Sequence, residues 1–200
     1  MRHGLPYTEA GMRIGLLGGS FDPPHRGHLH ISRQALRRFG LDRVWWLVSP
    51  GNPLKRDGPA DLQRRLAACR AMIDHPRIFV SDFEARAGTR YTAETLARLL
   101  PRCPGVRFVW LMGADNLNQL HLWEDWRGIM ETLPVGVLAR PGNVVRAGLS
   151  RSATAYARFR LPLHRSAALS HHPAPAWCLV TGPTVDISST EIRNRGDWVR

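Results

Sequence analysis

The stretch Met12-Arg13-Ile14-Gly15-Leu16-Leu17, continuing as Gly18-Gly19-Ser20-Phe21-Asp22-Pro23-Pro24-His25-Arg26-Gly27-His28, decides the fold. A short apolar run ending in paired glycines predicts a strand over 12–17 that turns tightly. Behind it, Leu29, Ala35, Leu36 and Phe39 alternate with Arg33, Arg37 and Arg38, which predicts an amphipathic helix over Leu29–Phe39 stopped by Gly40. Strand, glycine turn and helix in that order form the opening half of a βαβ unit. The free N–H groups at the start of such a helix suit an anion, with phosphate as the natural guest.

Working outward, strands are predicted at Val44–Val48, Ile78–Ser81, Val106–Met112, Val135–Ala139 and Trp177–Thr181. Helices are predicted at Asp61–Ile73, at Tyr91–Leu100 before Pro101, and at Ser188–Arg195. This alternation predicts an α/β fold, a Rossmann-like doubly wound parallel sheet with helices on both faces, binding its ligand beyond the carboxyl ends of the strands. Residues 1–11 read as a flexible tail and 12–200 as a single domain. Between Pro141 and Pro175 the pattern weakens, leaving either a variable connection or an excursion for assembly.

The chain has 200 residues, 28 Lys+Arg against 16 Asp+Glu, and a formal charge of +12. Such a balance invites a polyanion. Yet Lys55 is the only lysine, and the arginines run from Arg2 to Arg200 without a basic block, so no nucleic-acid partner is expected. Cys69, Cys103 and Cys178 are odd in number and far apart, which supports neither a disulfide framework nor a zinc site and points to a reducing, cytoplasmic setting. No apolar run is long enough for a membrane span. His164, His171 and His172 stand in a Pro-rich stretch and read as solvated, so no protein metal site is expected.

The glycine turn matches neither GxGxxG nor a P-loop. Its informative part is His25 and His28, separated only by Arg26-Gly27. Two imidazoles at that spacing can converge on one oxygen-rich group as donors, each gaining charge as the pH falls. Gly18 to His28 resembles the (G/S)xFDPxHxGH signature of the nucleotidyltransferase superfamily, related to the HIGH element of class I aminoacyl-tRNA synthetases.

A second signal is Ile187-Ser188-Ser189-Thr190-Glu191-Ile192-Arg193. Ser188 and Glu191 fit a capping box, so a helix should begin here, with hydroxyls and Arg193 forming a second anion site. The segment resembles the ISSTxIR element of the same superfamily, which closes over ATP phosphates. Three further segments, Pro50-Gly51-Asn52-Pro53-Leu54-Lys55, Arg90-Tyr91-Thr92-Ala93-Glu94-Thr95, and Gly113-Ala114-Asp115-Asn116 with Leu120-His121-Leu122-Trp123, look like those of the bacterial nicotinate-nucleotide adenylyltransferases.

That resemblance, covering Met12 to Arg195, implies ATP and nicotinate mononucleotide as substrates and Mg²⁺ bound mainly through the ATP phosphates. It implies His25, His28 and Arg193 as catalytic residues. ATP would be bound by Gly18, Gly19, Ser20, Phe21, His25, His28, Asp115, Ile187, Ser188, Ser189, Thr190 and Arg193. The mononucleotide would meet Ser20, Asn52, Lys55, Tyr91, Thr92 and Trp123. Two readings stay open: Trp123 either stacks on the pyridine ring or is an interface or core tryptophan, with Trp126 at helical spacing a second packing residue, and Asp115 meets a ribose or a neighbouring donor, caps a helix, or does both. Two departures are present. The family continues beyond the ISSTxIR helix where this chain stops at Arg200, so an abbreviated end is expected, and Arg90 stands where a smaller residue is usual.

Overall fold

Six apolar runs pair into one sheet because each is buried on both faces and has no polar side to expose. They are β1 Arg13–Gly19, β2 Arg43–Val48, β3 Ile78–Ser81, β4 Arg107–Gly113, β5 Val135–Ala139 and β6 Trp177–Thr181. Every pairing is parallel, in the spatial order β3-β2-β1-β4-β5-β6. The structure is a computed structural model that describes residues 4–51, 58–139, 144–182 and 187–199.

Side chains alternate across each strand and build two cores. On one face Ile14, Leu16, Trp45, Trp110, Val137 and Trp177 meet helices α3 Phe83–Ala87, α4 Thr92–Leu99, α5 Ala114–Gln119, α6 Trp126–Thr132, α7 Val144–Gly148 and α8 Arg151–Ala155. On the other, Leu17, Val44, Trp46, Val109, Leu111 and Val180 meet α1 Arg26–Arg38, α2 Leu62–Met72 and a 3₁₀ segment, Leu163–His171. A last helix, α9 Ser189–Asn194, follows β6. The strand order reverses between β1 and β4, where chains leaving the two strands diverge and open a crevice at their carboxyl ends.

Every predicted strand and helix is present, with ends shifted by at most a few residues. The short helices α3, α5 and α6 carry too little periodicity to announce themselves in sequence. One expectation needs correction and one open alternative is settled. Residues 4–11 are not a loose tail: Leu5 joins the core, Ser81 Oγ donates to the Gly4 carbonyl at 2.7 Å, and Gly11 N donates to Gly105 O at 2.8 Å. Carbonyls of this segment serve as acceptors for the sheet edge, which a polar sequence pattern cannot reveal. The stretch after Pro141 is the β5 to β6 crossover: Ala147, Ala153 and Tyr156 fill one core and Leu169 the other.

Candidate active site

The turn after β1 is held from inside. A Cβ at Gly18 would lie 2.5 Å from the Trp110 ring, so glycine there serves close packing of β1 on β4. Phe21 takes a positive φ of 47°, unusual for a bulky residue, and is secured by stacking on Trp46 at 4.9 Å between ring centroids. The side chain of Arg65, 1% exposed, donates to the carbonyls of Ala60, Ser20 and Ser49 at 2.7 Å each and of Pro50 at 3.2 Å. One guanidinium thereby ties the loops after β1 and β2.

His25 caps α1, its Nδ1 accepting from Gly27 N–H at 3.1 Å, while His28 Nδ1 accepts from His25 N–H at 3.1 Å. Both δ nitrogens being acceptors, each neutral ring carries its proton on Nε2. The ring centroids are 3.8 Å apart. A Cβ at Gly27 would come within 2.8 Å of His25 Nδ1, which explains the glycine between the histidines. Phe21 and Trp46 flank His28 at 4.7 and 5.9 Å, and burial together with nearby His25 pushes its imidazole down to about 3. His28 therefore gains its charge only as the pH falls toward 3.

This has a consequence for stability. A histidine whose folded value lies below its unfolded value of 6.5 binds fewer protons when folded, so stability is fully present above pH 6.5 and falls as the pH drops toward 3. Between pH 6.5 and 5 the loss should be about 2 kcal/mol, and it should shrink in His28→Gln. Urea midpoints of both proteins at the two pH values check this; equal losses would assign the effect elsewhere.

The tertiary structure brings the second signal onto the first. Ser188 and Glu191 form the expected capping box, with Glu191 N to Ser188 Oγ at 3.2 Å and Ser188 N to Glu191 Oε2 at 2.8 Å. Ser189 Oγ donates to the Pro23 carbonyl at 2.9 Å, and the Arg193 guanidinium donates to the Asp22 carbonyl and, at 3.1 Å, to Thr190 Oγ1. Ile187 Cγ2 lies 3.5 Å from where a Gly27 Cβ would stand. The predicted hydroxyls therefore organise this junction.

Other predicted residues lie further out. Asp115 sits exposed in the first turn of α5 at the end of β4, but Gly113 is the N-cap, which answers the capping alternative. Tyr91 caps α4 and Thr92 opens it; Glu94 Oε2 accepts from Arg90 N at 3.2 Å and Tyr91 N at 3.4 Å. Partly exposed Trp123 meets Trp110 edge-on at 6.5 Å, whereas Trp126 is buried against Tyr156. Both tryptophans pack on the same core, Trp126 within it and Trp123 at its partly exposed margin. Asn52 and Lys55 lie outside the described residues.

Sequence reasoning missed Asp22 and Arg65. Asp22 is inside the quoted motif but looks like any turn carboxylate. Arg65 carried a signal, since Leu62, Arg65, Leu66 and Cys69 share one helix face, an apolar stripe with a cation in it.

A family model described as cytidylyltransferase-like matches residues 16–195. A Ruegeria pomeroyi protein named "Probable nicotinate-nucleotide adenylyltransferase" is 61% identical over 198 residues, 99% of this chain and 93% of its own. One of the same name from Roseobacter denitrificans is 57% identical and is covered in full, as is this chain. Among solved structures, the Plasmodium falciparum nicotinic acid mononucleotide adenylyltransferase complexed with NaAD superposes with a TM-score of 0.67 at 17% identity, covering 92% of this chain and 83% of that one. At that identity the likeness speaks for the fold alone.

Proposed function

We infer the activity from one premise: the chain belongs to the cytidylyltransferase-like family, among the nicotinate-nucleotide adenylyltransferases. It is a nucleotidyltransferase that joins ATP and nicotinate mononucleotide into nicotinate adenine dinucleotide, releasing pyrophosphate, in NAD biosynthesis. The observation that carries the site reading is the meeting of the two anion motifs at the β1/β4 crevice, through Ser189 to Pro23 and Arg193 to Asp22.

In the proposed step a 5′-phosphate oxygen of the mononucleotide attacks the α-phosphorus of ATP in line. The α–β phosphoanhydride bond breaks and pyrophosphate departs. The attacking group is already an anion, so the chain needs neither a nucleophile nor a general base, and its task is positioning and charge stabilisation. His25 and His28 donate their Nε2–H groups to the α-phosphate as charge develops. Arg193, with Ser188, Ser189 and Thr190, holds the departing pyrophosphate, while Gly18, Gly19, Ser20, Phe21 and Ile187 shape the phosphate cradle and Asp115 meets a ribose. The polar side chains at this junction are imidazoles, a guanidinium and hydroxyls, its carboxylates Asp22 and Glu191 already accept from protein donors, and among the described residues no cluster of His, Cys, Asp or Glu is arranged to hold a metal. Mg²⁺ therefore fits as an ion carried by the ATP phosphates and water, where it would neutralise phosphate charge.

For the acceptor, main-chain and side-chain donors of Tyr91 and Thr92 receive the pyridine carboxylate, Trp123 stacks on the ring, and Asn52 and Lys55 with Ser20 meet the rest. We place the enzyme in the cytoplasm; three buried, unpaired cysteines suit a reducing compartment, and no helix among the described residues is long and apolar enough to cross a membrane.

The test is pyrophosphate release with ATP and Mg²⁺, with nicotinate mononucleotide, nicotinamide mononucleotide and phosphopantetheine compared as acceptors. A strong preference for the nicotinate form is expected; a win by either other acceptor would overturn the assigned pocket. In the same assay Trp123→Ala should raise KM for the mononucleotide by ~10-fold or more, in line with stacking worth about 1–3 kcal/mol, and leave KM for ATP nearly unchanged. Equal changes would return Trp123 to a packing role.

A further inference from the structure

Asp22 is 2% exposed, so its carboxylate depends on protein donors. Oδ1 accepts from Ala60 N at 3.2 Å and from the Trp198 indole N–H at 2.7 Å. Oδ2 lies 3.8 Å from the Arg193 guanidinium, beyond the 2.7–2.9 Å of a hydrogen-bonded ion pair. Arg193, which donates to the Asp22 main-chain carbonyl and to Thr190 Oγ1, is thus near the carboxylate without a hydrogen-bonded ion pair to it.

Trp198 reaches this position by a built route. After α9 the chain reverses at Gly196, where φ is +80°, with Gly196 N donating to Arg193 O at 3.0 Å and Asp197 N to Ile192 O at 3.2 Å. The strap formed by residues 196–199 then lies against α2: Arg64 stacks on the Trp198 ring at 4.2 Å and donates to Val199 O at 2.6 Å. Arg64 and Arg65 are neighbours that do different work, one clamping the strap and the other the loops beneath it.

We propose that Trp198 is a positioning residue for Arg193: its indole N–H occupies Asp22 and so keeps the guanidinium available to the substrate phosphates. A buried carboxylate that loses a donor is left with an unsatisfied lone pair. Arg65, which also feels the Asp22 charge, is held by four carbonyls, whereas Arg193, 3.8 Å from Oδ2, would close the gap and turn away from the pyrophosphate. The role belongs to the indole nitrogen, since the ring alone can be replaced without removing the Arg64 stack.

The proposal rests on the assignment of Arg193 to the pyrophosphate, and the experiment separates the two. In steady-state assays Trp198→Phe should raise KM for ATP and the inhibition constant of pyrophosphate about tenfold, with KM for the mononucleotide within twofold of the parent. Trp198→His, whose ring can still donate an N–H, should recover most of the loss, and adding Asp22→Asn to Trp198→Phe should do the same by removing the charge that captures Arg193. An unchanged KM for ATP in Trp198→Phe, a parallel rise for both substrates, or failure of both rescues would overturn the proposal. Should Trp198→Phe fail to fold by circular dichroism, Arg64→Ala, which loosens the strap, carries the test and should raise KM for ATP selectively. Arg193→Ala is measured alongside. If it leaves ATP and pyrophosphate binding intact, the assignment of Arg193 itself fails; if it weakens them while Trp198→Phe does not, only the role of Trp198 fails.

Discussion

Replacing His28 by alanine is expected to lower turnover by roughly 10²–10³, the effect of losing one preorganised donor to charge that develops in the transition state, about 2.7–4 kcal/mol. The geometry makes this a specific expectation. His28 Nδ1 is committed to the His25 N–H, so Nε2 carries the proton. With its pKa depressed to about 3, the ring is a neutral donor throughout the physiological range and needs no protonation to act. The same substitution deletes one half of the α1 capping box, which should cost about 0.5–2 kcal/mol of stability. Turnover must therefore be measured at saturating substrates and well below the melting temperature. Near-normal pyrophosphate release under those conditions would remove His28 from the chemistry.

Arg65→Ala should produce the largest loss of stability, at least about 3 kcal/mol, because several buried carbonyls each lose a donor worth about 1–3 kcal/mol. Arg65→Lys should recover little, since a single ammonium cannot span Ala60, Ser20, Ser49 and Pro50 as a planar fork does. Urea unfolding checks the magnitude, and a loss below 1 kcal/mol would mean that the loops find other donors. Because Ser20 and Ser49 follow β1 and β2 at the crevice, surviving Arg65→Ala protein should also bind both substrates more weakly.

How far the site was legible depended on what each residue needs. The histidine pair and the Ser188 to Arg193 box were visible because local spacing alone places those groups together, through a helix cap or one helical turn. Asp22 and Trp198 were not, because their partners lie 38 and 176 residues away in sequence, and the cation in the α2 stripe at Arg65 does not name the carbonyls, up to 45 residues away, that it holds. The range in which His28 titrates was not legible for a related reason: Phe21 stands close by in the chain, but Trp46 comes from the neighbouring strand. Trp123 and Trp126, alike in sequence, part company only when one meets Trp110 and the other Tyr156.

By itself, then, the sequence determined the alternation of strands and helices, the parallel sheet they imply, and the local geometry of the His25–His28 and Ser188–Arg193 motifs. These follow from local periodicity, turn residues and capping, whose ranges are a few residues. Only the tertiary structure decided that residues 4–11 pack and that the two motifs meet at one crevice. It alone set the 3.8 Å between Asp22 and Arg193. Burial and buried hydrogen bonds are properties of neighbours in space, and folding chooses those neighbours by filling two cores across a six-stranded sheet.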